Sequence, residues 1–188
     1  EGSGNIAKDL SGNNNNGTIT SGNWTTGKVG NALENFSVQV PHNPVLNLSG
    51  PNSIVLLALI PNDYPGWIVY KVSGTSGWLF RILEPIGFAY DFYNTAASLK
   101  IHYWYPLPTS TDWYFLASTY DFFKVKLYKG TPNGWAGSVS VSESDNISTN
   151  TANLLIINNR VGGKLDEVRL YNRALSDAEI KALYEATK

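Results

Sequence analysis

The segment that decides the fold runs from Lys164 to Tyr184 and reads K-L-D-E-V-R-L-Y-N-R-A-L-S-D-A-E-I-K-A-L-Y. Its first eight residues alternate between apolar and polar side chains, which predicts a β-strand. Residues 176–186 have helical spacing, with Ser176 as the expected N-cap and Glu179 completing a capping box. The stripe of this helix that we expect to face the core consists of Ile180, Leu183 and Tyr184.

The rest of the chain predicts many short antiparallel strands. Apolar or alternating runs are separated by turn sequences such as Ser-Gly-Thr-Ser-Gly and Val-Gly-Gly. Turn signals at intervals of roughly ten residues are typical of an all-β sandwich or barrel. The expected strands cover residues 53–60, 67–72, 77–83, 87–93, 98–105, 114–120, 123–128, 137–141, 154–157 and 165–171.

Length and composition limit the possible functions. A chain of 188 residues predicts one domain that buries about 70% of its unfolded surface. With 15% charged residues, a net charge of −1 and no basic patch, nucleic acid is a poor partner. The longest apolar run, residues 54–60, is too short to span a bilayer, so no membrane insertion is expected. We expect residues 1–4 to be a linker or cloning remnant and residues 5–188 to form the single domain.

Three blocks resemble one known family. The first contains D-L-S-G-N-N-N-N-G from Asp9, followed by W-T-T-G-K-V-G-N-A-L from Trp24. The second reads W-Y-F-L-A-S-T-Y-D from Trp113, and the third is the closing run from Lys164. In this order they resemble laminin-G-like (concanavalin A-like) jelly-roll domains. The resemblance implies an antiparallel β-sandwich with one short C-terminal helix, and a domain that mostly binds rather than catalyses.

A structural calcium site is one expectation. The loop after Asp9 offers carboxylate and amide oxygens, and calcium takes about six to eight oxygen ligands. The resemblance implies that Asp166 on the last strand supplies a second carboxylate beside this loop. The expected metal ligands are Asp9, Gly12, Asn15 and Asp166. The alternative is a hydrogen-bonded turn at Asp9, with Asp166 paired to Arg169 or Lys164.

The divergent middle of the chain contains the expected ligand face. Aromatic residues make up 13% of the chain, and flat rings combined with polar groups suit sugars. Strand alternation predicts that one more polar face carries Arg81, Asp91, Tyr93, Lys100, His102 and Trp104, with Trp67 at its rim. The predicted ligand-binding residues are Trp67, Arg81, Asp91, Tyr93, His102 and Trp104. Alternatively this is an ordinary water-facing surface with an Arg81–Asp91 ion pair.

Catalytic patterns are missing from the sequence. Glycan hydrolases need two carboxylates about 5–10 Å apart across the scissile bond. Glucanases with this fold carry them alternately on one strand, whereas Glu84 and Asp91 are isolated here and Asp166 and Glu167 are adjacent. His102 has no acidic residue near it in sequence to orient its ring. The chain itself is therefore not expected to be an enzyme.

Three functions remain open. The first is a non-catalytic carbohydrate-binding module, appended to other domains of a larger parent chain such as a secreted glycan-active enzyme. It predicts a poly- or oligosaccharide partner and loss of binding on Trp104→Ala. The second is a structural or adhesive domain of a surface, filament or virion protein, and the third is a glycoside hydrolase with an unusual site. Five N-x-[S/T] sequons occur, a number that an Asn-, Ser- and Thr-rich chain produces by chance. The polar, Tyr- and Trp-rich composition favours an extracellular or cell-surface location.

Overall fold

A computed structural model describes residues 2–61, 66–83, 87–104, 106–107, 112–131, 133–157 and 163–187. Within these ranges it has thirteen β-strands, a 3-10 turn at Pro44–Asn47 and one α-helix, α1 (Asp177–Ala186). The strands are β1 (Ile6–Ala7), β2 (Gly17–Thr26), β3 (Asn31–Val40), β4 (Asn52–Leu59), β5 (Gly66–Ser73), β6 (Ser76–Leu83), β7 (Gly87–Tyr93), β8 (Leu99–Trp104), β9 (Trp113–Tyr120), β10 (Lys124–Thr131), β11 (Gly134–Ser142), β12 (Leu154–Ile157) and β13 (Lys164–Tyr171).

All strand pairs in the sheet are antiparallel, in the order β11-β10-β9-β4-β13-β3-β12-β5-β6-β7-β8, with β2 and β1 added beside β3. The sheet folds over on itself, because Leu56 and Leu116 from one half share a single core with Phe80 and Tyr90 from the other. The β8 edge approaches β10 of the opposite half. This jelly-roll-like antiparallel sandwich confirms the predicted fold class.

The C-terminal helix packs on the outer side of the sandwich. Ser176 and Glu179 form the predicted capping box, with each side chain accepting a hydrogen bond from the other's backbone N–H. Ile180 and Tyr184 are buried against Leu57 and Phe115, so a second, smaller apolar cluster joins α1 to β4 and β9. Helix α1 is too short and polar to cross a membrane, and the described residues contain no helix that could.

All ten predicted strands occur, with ends shifted by no more than a few residues, but the β1–β3 segment was missed. Two bulges in β2 interrupt its alternation, and Gly22 and Asn35 have positive φ angles of 102° and 48°. A bulge moves the side chains beyond it to the other face, so period-two patterns fail there. Gly4, in the segment expected to be a linker, accepts a hydrogen bond from the Trp24 indole N–H.

Candidate functional site

The register between β7 and β8 divides the predicted ligand face in two. Residues directly opposite each other in an antiparallel pair place their side chains on the same face. Tyr90 lies opposite His102, and Asp91 lies opposite Ile101. Since Tyr90 belongs to the core, His102 also points inward, as do its alternate neighbours Lys100 and Trp104. The prediction that these three share a face with Arg81, Asp91 and Tyr93 is wrong.

The three inward residues of β8 connect the two halves of the sandwich. Lys100 pairs with Asp145 at 2.5 Å, and His102 Nε2 lies 3.3 Å from a Glu143 carboxylate oxygen. The Lys129 ammonium lies 4.7 Å from the centre of the Trp104 ring. The polar side chains of Lys100 and His102 are tolerated between the two halves of the sheet because each has an acidic partner on the opposite half.

Asp91 and Arg81 form the polar centre of the outward face. Asp91 is fully buried; its Oδ2 accepts a hydrogen bond from Arg81 Nε at 2.5 Å, and its Oδ1 accepts one from the His102 backbone N–H at 3.2 Å. Burial raises the pKa of the Asp91 carboxyl, and the Arg81 guanidinium opposes part of that rise. The Arg81 side chain is 22% exposed, so its outer N–H groups reach the surface.

Tyrosine and aliphatic side chains surround this pair. Tyr103 is 56% exposed and Ile101 49%, whereas Tyr93 is half-buried. Tyr103 and Arg81 both pair with Ala89, which places them in one row across three strands. We call this surface the β6–β8 outer face and define it by Arg81, Ala89, Asp91, Tyr93, Leu99, Ile101 and Tyr103.

Trp67, predicted to lie at the rim, pairs with Arg81 through its backbone on β5. Its side chain lies outside the described part of the structure. The backbone register therefore puts Trp67 in the same row as Arg81, and its role as a rim residue stays a prediction.

The predicted calcium loop forms a hydrogen-bonded turn. Asp9 Oδ1 accepts from the Ser11 backbone N–H and Asp9 Oδ2 from that of Asn15, each at 2.9 Å. The pKa of Asp9 is lowered, because these hydrogen bonds together outweigh the opposing effect of burial, which is the largest single contribution. The Asn15 amide oxygen accepts a hydrogen bond from Asn43, and Gly12 turns the chain with a φ of 87°.

Asp166 contacts a different loop. A bulge in β13, at Glu167, turns its side chain toward the β2–β3 turn. There Asp166 Oδ2 accepts a hydrogen bond from the Val29 N–H at 2.9 Å, and Oδ1 accepts one from Glu167. The pKa of Asp166 is raised by burial, which these N–H groups partly offset. The alternative pairing with Arg169 or Lys164 does not form either, because Arg169 pairs with Glu167 and Lys164 with Thr25.

The two predicted metal carboxylates are far apart. Asp9 lies beside the start of β2 and Asp166 beside its end. A ten-residue strand between them corresponds to about 30 Å. The described residues contain no group of three His, Asp or Glu side chains that could hold a metal. A calcium ion shared by both carboxylates does not fit this geometry.

A cleft of about 310 Å³ lies on the opposite side of the sandwich, between α1 and the sheet. No sequence pattern predicts this cleft, because five distant segments build it. These are the β2–β3 turn, strand β4, the start of β9, the β10–β11 turn and the end of α1. Its walls include Lys28, Asp112, Trp113, Phe115, Asn133 and Tyr184.

A family model described as the concanavalin A-like lectin/glucanases superfamily matches residues 35–181. The chain belongs to the concanavalin A-like lectin/glucanase superfamily. The predicted family resemblance is thereby confirmed. No curated protein sequence matches this superfamily member.

Solved structures with the same fold include binding domains of botulinum neurotoxins. The receptor-binding domain of mosaic serotype C/D matches with a TM-score of 0.71 and 15% identity, covering 99% of this chain and 49% of that one. A serotype DC binding domain in complex with rat synaptotagmin II matches at 0.63, with 14% identity and coverages of 100% and 46%. The same domain type in complex with SialylT matches at 0.61, with 15% identity and coverages of 100% and 46%.

This superfamily member spans about half the length of those toxin domains. At such low identity the likeness shows the fold alone.

Proposed function

We propose that this chain is a non-catalytic carbohydrate-binding module and that the β6–β8 outer face binds the glycan. The observation that carries the proposal is the Arg81–Asp91 pair. A fully buried carboxylate holds a partly exposed guanidinium in one orientation, beside the exposed ring of Tyr103. A side chain oriented in this way loses little conformational entropy when it binds a ligand.

The chemistry of the face suits a sugar. A pyranose ring presents C–H groups on one side and hydroxyl groups at its rim. Tyr103 and Tyr93 offer aromatic surface for the C–H groups. The Nη groups of Arg81, which have no partner among the described residues, can donate hydrogen bonds to hydroxyl oxygens. Recognition then needs no movement of the backbone.

Structural neighbours of this chain support the proposal. Among them are a binding domain in complex with SialylT and one from a toxin whose cell entry depends on two ganglioside molecules. Each of these toxin domains is about twice as long as this chain. We extend the proposal to an extracellular location and to a parent chain with further domains, such as a glycan-active enzyme.

The geometry of this face favours glycan binding over glycan hydrolysis. Among the described residues, the carboxylate at the centre of the β6–β8 outer face is that of Asp91, which is buried under Arg81 and cannot approach a glycosidic bond. Hydrolysis would need a second carboxylate facing it at about 5–10 Å. Calcium is not part of this proposal, because both oxygens of Asp9 and of Asp166 already accept backbone N–H groups.

An adhesive role is the second candidate, and one observation favours it. Leu99, Ile101 and Tyr103 form an exposed, largely apolar row on β8, and their exposed fractions are 40%, 49% and 56%. Strand β8 also ends the strand order of the sheet. Exposed apolar rows are common where proteins meet other proteins.

A glycan screen separates these functions. The protein is tested against immobilised polysaccharides and oligosaccharides, alongside the variant Arg81→Ala, and the same glycans are assayed for released reducing sugar. We expect binding by the wild type, weaker binding by Arg81→Ala and no released sugar. Absence of binding to every glycan would overturn the proposal in favour of adhesion, and released sugar would identify a hydrolase.

A further inference from the structure

We infer that the cleft between α1 and the sheet is a second carbohydrate site, which takes one sugar ring. This inference rests on the proposed function but concerns a different surface. Leu57 and Phe115 line the cleft and belong to the apolar cluster under α1, whereas the β6–β8 outer face lies on the other half of the folded sheet. A volume of about 310 Å³ is at the small end of ordinary ligand sites, which span roughly 300–1,000 Å³.

The cleft has an aromatic wall that the fold holds in place. Tyr184 packs against Phe115 and Trp135, with ring centres 5.7 and 5.2 Å apart. Gly130 makes this position possible, because a Cβ there would lie 2.4 Å from the Tyr184 ring. The Tyr184 ring is therefore fixed before any ligand arrives, which reduces the entropy lost on binding.

Trp113 supplies a second aromatic surface. Its side chain is only partly buried, and the described residues provide no acceptor for its indole N–H. By contrast, the indole N–H groups of Trp24 and Trp78 both donate to backbone carbonyls. An indole with one ring face in a cleft and an unpaired donor can stack on a sugar and bond to its hydroxyl oxygen.

Hydrogen-bond donors and acceptors line the mouth of the cleft. Asp112 is exposed and offers carboxylate oxygens, one of which accepts the backbone N–H of Trp113. Asn133 and Lys28 are exposed, and their side chains make no hydrogen bond within the described part of the chain. The cleft thus combines acceptors and donors around aromatic rings. A wholly apolar ligand would cover these polar groups without hydrogen-bonding to them, whereas the hydroxyl groups of a sugar can both donate and accept.

The test observes Trp113 directly by NMR. Protein carrying 15N-labelled tryptophan gives six indole signals, and Trp113→Phe identifies the one that belongs to Trp113. Methyl glycosides of galactose, N-acetylglucosamine and glucuronic acid are the probes. We expect one of them to shift the Trp113 signal to saturation while the Trp24 signal stays fixed. Trp113→Ala should weaken that binding by about tenfold and Asn133→Ala by about threefold, with Arg81→Ala leaving it unchanged.

The outcomes separate this inference from the proposed function. If a probe binds and perturbs the β6–β8 outer face but leaves the Trp113 signal unmoved, the cleft site is refuted and the proposed function stands. If neither these probes nor the glycans of the screen bind anywhere, both are refuted. If Trp113→Ala unfolds the protein, Asn133→Ala decides, because its exposed side chain contributes little to folding. Unchanged affinity of the Asn133→Ala variant for the probe would then refute the sugar site in the cleft.

Discussion

Asp91 lies fully buried directly beneath Arg81, and the two side chains are joined by a hydrogen bond of 2.5 Å from Arg81 Nε to Asp91 Oδ2. The two side chains differ in exposure, since the Asp91 carboxylate is inaccessible to solvent whereas the Arg81 guanidinium reaches the surface. Burial nevertheless raises the pKa of Asp91, so its ionised form costs folding free energy even with Arg81 in place. The pair therefore orients Arg81 more than it stabilises the fold.

Replacing Asp91 by Asn separates these two roles. Asn keeps the size of the side chain and an acceptor for the His102 N–H, and it removes the buried charge. Because the Arg81 guanidinium is 22% exposed and water can solvate it when its partner is lost, we expect the free energy of unfolding to change by less than about 1 kcal/mol, below the roughly 3–5 kcal/mol of a pair in which both charges are buried. Arg81 loses its anchor, so affinity for a bound glycan should fall about tenfold. Urea unfolding and calorimetric titration measure the two effects.

Asp145→Asn is the matched control for this variant. Asp145 also pairs with a cation, Lys100, at 2.5 Å, but away from the β6–β8 outer face. Its stability change should lie within about 1 kcal/mol and its glycan affinity should equal that of the wild type. A large loss of stability in Asp91→Asn with unchanged affinity would show that the buried pair serves only the fold.

Trp104→Ala should destabilise the protein without acting on the ligand face. The Trp104 ring packs against Phe88 and beneath the Lys129 ammonium, on the inward side of β8. Because the side chain is partly buried, we expect a loss of about 2–3 kcal/mol in thermal or urea unfolding. Affinity measured where the variant is fully folded should be unchanged, whereas the sequence alone predicts lost binding. A tenfold weaker affinity in the folded variant would restore Trp104 to the site.

The face of β8 could not be assigned from its sequence. Leu99, Ile101 and Tyr103 form its more apolar set, so hydrophobicity favours them as the inward residues. The observed register is set by the turn before β8, where Asn94 accepts the backbone N–H groups of Ala96 and Ser98 through its side chain. The polar set then points inward and finds partners on segments about 25 to 45 residues later in the chain.

Local signals were reliable where a feature depends on neighbouring residues. The capping box at Ser176 and Glu179 and the inward stripe of α1 follow from spacing alone. Asp166 could not be placed in this way, because the bulge at Glu167 redirects it toward Val29. The cleft near Trp113 needs five segments brought together, which no local pattern encodes.

Acid should weaken the capping box. Hydrogen bonds from Arg173 and Ser176 lower the pKa of Glu179 from 4.5 to about 2. Because the folded-state pKa is the lower one, this stabilising contribution is complete above pH 4.5 and disappears as the pH falls toward 2. Stability measured by urea unfolding should therefore fall more steeply over this pH range in the wild type than in Glu179→Gln. Parallel curves for the two proteins would contradict this assignment.

Chelation should leave thermal stability unchanged. Both oxygens of Asp9 and of Asp166 already accept backbone N–H groups, and the two residues lie at opposite ends of β2. We expect the melting temperature in EDTA and in millimolar calcium to agree within about 1 °C. A site occupied at about 100 times its Kd would add roughly 2.7 kcal/mol, which would raise the melting temperature by several degrees. Such a rise, abolished by Asp166→Asn or Asp9→Asn, would establish a calcium site.

The most direct test of the central claim is the affinity of Tyr103→Ala for a glycan that binds the wild type. Tyr103 is 56% exposed, so its removal should change the melting temperature by less than about 2 °C. If the β6–β8 outer face binds the sugar, calorimetric titration will show affinity weakened by about tenfold, since the ring supplies the stacking surface beside Arg81. Unchanged affinity in this stable variant would contradict the account.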